Sequence, residues 1–280
     1  MRFDVYADLD HLYMINFSVD AASLARLVPA PLRVLQKRGR GFPSIVLPCI
    51  KRLRPALTRF PAVDYELCGL RILVEYDSAL TGVTKGVYFA RLIIDPGWLR
   101  RIANVVTAFD FEPGQIEKRV SGADLPVSRG TATMTGNGHA CEVAVRQHGG
   151  DFLRACVRVD PDTRQRLNPG SVFIDLDEAA ATYSDLSYGF LPVADGREVR
   201  ILQIGDPHPD YVAWPLVALN VDDAWVHALH EDRRFAGTTI TLEPSYYVGS
   251  LPRYWRWQAS ERVPMRVARV ARVPETESVT

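Results

Sequence analysis

The chain has 280 residues, with 33 Lys+Arg against 33 Asp+Glu. It therefore lacks the basic excess that marks a nucleic-acid binder, and the length fits one large β-rich domain or two small ones. No apolar run approaches a membrane span, and Met1 to Asp10 is acidic where a secretory leader needs an apolar stretch. The expectation is a soluble cytoplasmic protein that partners neither membrane nor nucleic acid.

Taken in order, Arg2 to Ala7 and Leu12 to Val19 alternate as strands. Asp20 to Val28 reads as a short helix capped by Asp20 and stopped by Pro29. Arg38-Gly39-Arg40-Gly41 is a basic turn before a strand from Ser44 to Ile50. An anion contact and a solvated hairpin tip are both open there. Arg52 to Pro61 reads as a loop that folds over a cavity. On the strand Tyr65 to Tyr76, Glu66, Cys68, Leu70, Ile72 and Val74 share one face, and Arg71 lies on the other. A carboxylate on so apolar a face must be paired, protonated or at the edge of a wet pocket. Gly69 permits a bulge that would bring the two faces together.

Gly86 to Ile94 is a nearly unbroken β-branched and aromatic run, a buried strand that carries Tyr88 and Arg91. Asp95-Pro96 stops it and signals a helix over Pro96 to Ala108, with Leu99, Ile102, Ala103 and Val106 forming the inward stripe. Phe109-Asp-Phe111-Glu112 follows, a carboxylate beside two aromatics at the mouth of whatever the helix covers. Short strands at Ile116 to Ser121, Gly130 to Thr135, Ala140 to Gln147 and Phe152 to Val159 suit an antiparallel meander, with Gly136-Asn-Gly138 as a hairpin turn. Asp160 to Arg164 is a turn or a helix start, Asn168-Pro-Gly170 is a turn, and two halves would meet near residues 160–170.

Strands are expected at Ser171 to Leu176, Tyr188 to Val193, Arg197 to Ile204, Thr238 to Leu242 and Tyr246 to Val248. Helices are expected at Asp177 to Thr182 and Asp222 to His230. Arg253 to Trp257 alternates basic and aromatic groups as a strand with snorkelling arginines. Residues 1–273 read as a single domain and 274–280 as a disordered tail. The cysteines, Cys49, Cys68, Cys141 and Cys156, have no metal-ligand spacing and read as reduced core residues. His227 and His230 have i, i+3 spacing without an acidic third ligand, so no metal and no cofactor is expected.

Several stretches carry a family resemblance. Asp20-Ala-Ala-Ser-Leu-Ala-Arg-Leu-Val-Pro-Ala-Pro-Leu-Arg-Val, the strand-Asp-helix of residues 84–112, Phe190-Leu-Pro-Val-Ala-Asp-Gly and His208-Pro-Asp-Tyr-Val-Ala-Trp-Pro-Leu resemble the acetoacetate decarboxylase superfamily, in particular its DUF2071 branch. The resemblance spans roughly residues 10 to 220. It implies a mostly β (α+β) fold, antiparallel and closed or nearly closed into a barrel around an apolar cavity, with a few short helices. It also implies that Glu66 matches a glutamate lining the active site. The positions matching the Schiff-base lysine and its neighbouring lysine are Phe111 and Glu112, so imine-based decarboxylation is not implied.

An imine route needs an amine, and the chain offers four: Lys37, Lys51, Lys85 and Lys118. Lys85 opens a strand, and Lys118 lies in the charged run Glu117-Lys118-Arg119; both read as solvated. Without an amine, Glu66 and Glu112 remain as acid or base candidates, and Arg71 as the group that orients a carboxylate or enolate. Phe109, Phe111, Tyr88 and Arg91 are the ligand-binding candidates. The expected function is a small-molecule enzyme acting on a small organic acid or ketone by lyase, dehydratase or cyclase chemistry. The alternative is a non-catalytic binder using the same cavity. Homo-oligomerisation is left open.

Overall fold

A computed structural model describes residues 5–55, 62–78, 82–107, 109–122, 139–148, 150–159, 166–184, 188–193, 197–204, 213–223, 239–248 and 251–262. In chain order the strands are β1 (Val5–Asp20), β2 (Arg33–Val34), β3 (Gln36–Lys37), β4 (Arg40–Gly41), β5 (Pro43–Pro55), β6 (Val63–Ser78), β7 (Gly82–Asp95), β8 (Phe111–Pro113), β9 (Gln115–Gly122), β10 (His139–Gln147), β11 (Gly150–Val159), β12 (Tyr188–Val193), β13 (Glu198–Ile204), β14 (Ala213–Asp223), β15 (Thr241–Val248) and β16 (Leu251–Arg262). Among the described residues the helices are α1 (Ala21–Leu24), α2 (Arg100–Thr107) and α3 (Leu176–Ser184), with single 3-10 turns beside the first two. None of the described helices is long and apolar enough to cross a membrane.

The strands form one sheet in the order β16-β13-β12-β7-β6-β5-β1-β15-β14-β11-β10-β9. Most pairs are antiparallel, with β10 between β9 and β11 as the meander reading expects, but β7 pairs in parallel with both β8 and β12, so the sheet is mixed. The sheet as a whole does not close into the expected barrel. β1 is long enough to serve two neighbours along one edge, so the path β1-β5-β6-β7-β12-β13-β16 returns to β1 while β15-β14-β11-β10-β9 branches away from it. Its first residues, Val5 to Leu9, pair with β16, and Leu12 to Ser18 pair with β15. The far end, β9, pairs among the described residues with β10 alone.

The same long strand explains the core. His11, Tyr13, Ile15 and Phe17 alternate onto one face of β1, in line with Ile45 and Leu47 of β5, Cys68 and Leu70 of β6 and Ile93 of β7. Onto that face fold Ile116 of β9, Cys141, Val143 and Val145 of β10 and Leu153, Ala155 and Val157 of β11, as one buried cluster. Each such aliphatic side chain contributes about 1.5–3 kcal/mol when fully buried. The β9–β11 arm is thus held over the β1-β5-β6-β7 face, and side chains of β9 reach those of β6.

Several local expectations change. Two predicted strands at the amino end are one, and residues 239–248 likewise hold a single strand, β15. Ser171 to Asp175 is irregular up to α3, and Asp222 and Asp223 are the last residues of β14, while residues 224–230 of the helix expected there lie outside the described residues. Asp20 caps α1 as predicted, its carboxylate accepting from Ser23 N at 2.7 Å. Asp95 does not cap a helix: Pro96 is extended, and the 3-10 turn begins at Gly97. On the helix that follows, Leu99 is buried but Ile102 is 54 % exposed, so the apolar stripe is narrower than predicted. The strand at Gly130 to Thr135, the Gly136-Asn-Gly138 turn, residues 56–61 of the loop, the Asp160 to Arg164 turn, His208, His227, His230 and the tail lie outside the described residues.

Candidate active site

Direct cross-strand pairing lines up four polar side chains on the covered face. His11 pairs with Cys49, Cys49 with Glu66, and Glu66 with Asp95, across β1, β5, β6 and β7. Asp95 Oδ2 accepts from the backbone N of Ile116 at 2.9 Å, which fixes the start of β9 against β7. Two residues on, Lys118 shares the face of buried Ile116, and its ammonium meets the Glu66 carboxylate. Only 9 % of the Lys118 side chain and 28 % of the Glu66 side chain is exposed. Lys118 Nζ is also 3.4 Å from Leu47 O and 3.4 Å from His11 Nε2, and 6.0 Å from the Tyr13 ring centre. The His11 ring packs edge-on to Tyr13, and its Nδ1 stands 3.0 Å from Asp10 Oδ2.

Lys118 is therefore not the solvated charge its neighbours suggest. Glu117 and Arg119 do face solvent, but strand alternation turns the residue between them inward. Burial first, and then the Lys118 charge, lower the pKa of His11, which favours the neutral imidazole. Burial and the adjoining Glu66 carboxylate push the Cys49 thiol up to about 12.

The other predicted site residues go elsewhere. Glu112 sits on β8, where Arg91 grips it bidentately at 3.0 and 2.9 Å, and Gln147 donates to it as well. Burial alone would raise the Glu112 pKa, but the Arg91 and Gln147 bonds together with the Arg91 charge bring it below the usual range. Arg91 also bonds Gln147 at 2.7 Å and stacks over Phe152, so it ties β7 to β8 and β10. Arg71 is buried on the face opposite Glu66, with Nη2 3.3 Å from Met14 Sδ. The register shift beside it places the extra residue, Ala90, on β7, and leaves the two faces apart. Tyr88 packs with Phe190 and Ile72 in a separate cluster.

The expected chamber behind Phe109 and Phe111 is filled by those rings themselves. Phe109 packs edge-on to Phe89 and Phe111, and the pair joins Leu92, Ile94 and Leu99 in a buried cluster. A cavity of about 210 Å³ opens instead between α3 and the β3 and β7 strands, lined among others by Leu35, Lys37, Phe42, Lys85, Glu178 and Thr182. There Lys37 and Arg38 bind Glu178, whose pKa these bonds and that of Ile174 N hold at about 2. The basic turn is thus occupied by a carboxylate of the chain itself.

Similar structures exist at low identity. An enduracididine biosynthesis enzyme, MppR, complexed with pyruvate, matches with a TM-score of 0.52 and 14 % identity, over 93 % of this chain and 90 % of that one. An acetoacetate decarboxylase matches at 0.50 and 12 %, over 92 % and 89 %. An acetoacetate decarboxylase-like enzyme from Sphingomonas wittichii RW1 matches at 0.49 and 15 %, over 92 % of each chain. The first two show that this chain has an acetoacetate decarboxylase-like fold. No curated protein matches its sequence. The sequence model of DUF2071, described as an uncharacterized conserved protein, matches residues 6–177. That is more than half of the chain, which belongs to the DUF2071 family.

Proposed function

We propose that the protein is an enzyme acting on a small keto acid or ketone, with Lys118 as its amine and Glu66 as its acid–base group. The observation that carries this reading is the buried contact between the Lys118 amine and the Glu66 carboxylate beside His11. A buried lysine amine beside a carboxylate that can carry protons is a pair that imine formation can use. Glu66 accepts the ammonium proton, and the free amine adds to the substrate carbonyl with loss of water. The resulting imine takes up the electron pair released at the neighbouring carbon, by loss of CO2 or of a proton. Glu66 returns a proton to the enamine, and water releases the product. The fold shared with a pyruvate-bound enzyme supports a keto acid as the substrate class.

A panel of 2- and 3-keto acids, followed by product formation, tests the reading. We expect turnover of at least one member, and a kcat/KM lower by about 10²–10⁴ in Glu66→Gln, which keeps the side-chain shape and loses the proton transfer. Equal turnover in Glu66→Gln removes the acid–base role. Binding of a keto acid without turnover makes the protein a binder.

A further inference from the structure

Successive residues of a regular strand point to opposite faces, yet Asp10 and His11 both reach Cys49. The register explains it. Leu9 pairs with Ile50, and His11 with Cys49, so Asp10 is the extra residue of a bulge, with two residues of β1 opposite one of β5. The bulge re-aims the Asp10 carboxylate to the side of its neighbour. One carboxylate oxygen, one imidazole nitrogen and one sulfur consequently lie within 4.8 Å of one another.

Those donors match the ligands of Zn2+, whose bonds of about 2.0–2.3 Å place tetrahedral ligands roughly 3–4 Å apart. The set is graded in depth: Cys49 is buried, His11 is half-buried and Asp10 is exposed, so an ion has an approach from the Asp10 side. Three protein donors leave a fourth position for water. The His11 ring is held on its far side by Lys118, at 3.4 Å from Nε2, and the Lys118 charge is offset by Glu66 against it. We propose that Asp10, His11 and Cys49 form a binding site for a borderline divalent cation, Zn2+ by preference, built by the β1 bulge. The site adjoins the Lys118–Glu66 pair through His11 and Cys49, but its three donors are there whether or not the keto-acid reading holds.

The test uses the full chain, stripped with chelator and titrated with Co2+ followed by Zn2+. The expected result is one equivalent of Co2+ with a near-ultraviolet thiolate charge-transfer band, bleached by one equivalent of Zn2+. Cys49→Ser removes the band. Asp10→Asn, at an exposed position that the fold tolerates, weakens Zn2+ binding by about tenfold or more. His11→Gln weakens it at least as far. Absence of saturable binding overturns the proposal, as does binding that is unchanged in Asp10→Asn and lacks the thiolate band in the unsubstituted chain.

Discussion

Lys118→Met destabilises the protein by about 2 kcal/mol, because it leaves the Glu66 carboxylate, set across from Cys49 on the covered face, without its cation. Breaking a fully buried pair costs about 3–5 kcal/mol, and the smaller figure allows for the part of Glu66 that water still reaches. Methionine keeps most of the buried stem, so the loss reports on the charge and not on packing. Glu66→Gln alone leaves the ammonium short of its counter-charge and costs a similar amount. The double variant has no unpaired charge and loses less than the sum of the two, with a coupling of about 1–2 kcal/mol. Urea denaturation of the four proteins measures this. Single variants within about 0.5 kcal/mol of the parent, without coupling, would place the pair with ordinary surface ion pairs.

Glu243→Ala is expected to cost about 3–5 kcal/mol. Glu243 is 1 % exposed and accepts from Ser18 Oγ at 2.6 Å, Ser171 Oγ at 2.5 Å and Val172 N at 3.3 Å. The three donors come from β1 and from the segment before α3, so one carboxylate on β15 joins three parts of the chain. Arg40 bonds Ser18 and Thr241 beside it, which brings positive charge close. Alanine strands the donors and opens a void. Glu243→Gln retains the volume and one oxygen, and the serine hydroxyls can turn to accept from its amide, so it costs about 1–2 kcal/mol. An alanine variant within 1 kcal/mol of the parent in denaturant would mean that water serves these donors equally well.

What the sequence shows and hides follows from the range of the interactions. Alternation along Tyr65 to Tyr76 separated Glu66 from Arg71, and the Asp20 cap was evident, because both depend on a few neighbouring residues. The requirement that a carboxylate beside Cys68 and Leu70 be paired was also legible. Its partner was not, since Lys118 is 52 residues away and arrives only because the β9–β11 arm folds over the face. The signal available was Ile116: if it faces inward on a strand, so does Lys118, whatever the charges of Glu117 and Arg119 suggest. The bulge at Asp10 leaves no such trace, because it exists only in the register between β1 and β5. The contacts that Phe109, Phe111, Arg91 and Glu112 make were hidden for another reason. Aromatics and opposite charges close in sequence to a helix end satisfy one another as readily as they line a cavity.

Borohydride trapping with pyruvate and acetoacetate, read by intact mass and peptide mapping, tests most directly whether the Lys118 amine is a reacting group. A single reduced adduct is expected on the peptide that contains Lys118, absent from Lys118→Arg. An adduct only on Lys37, Lys51 or Lys85, or none with either acid, would contradict it.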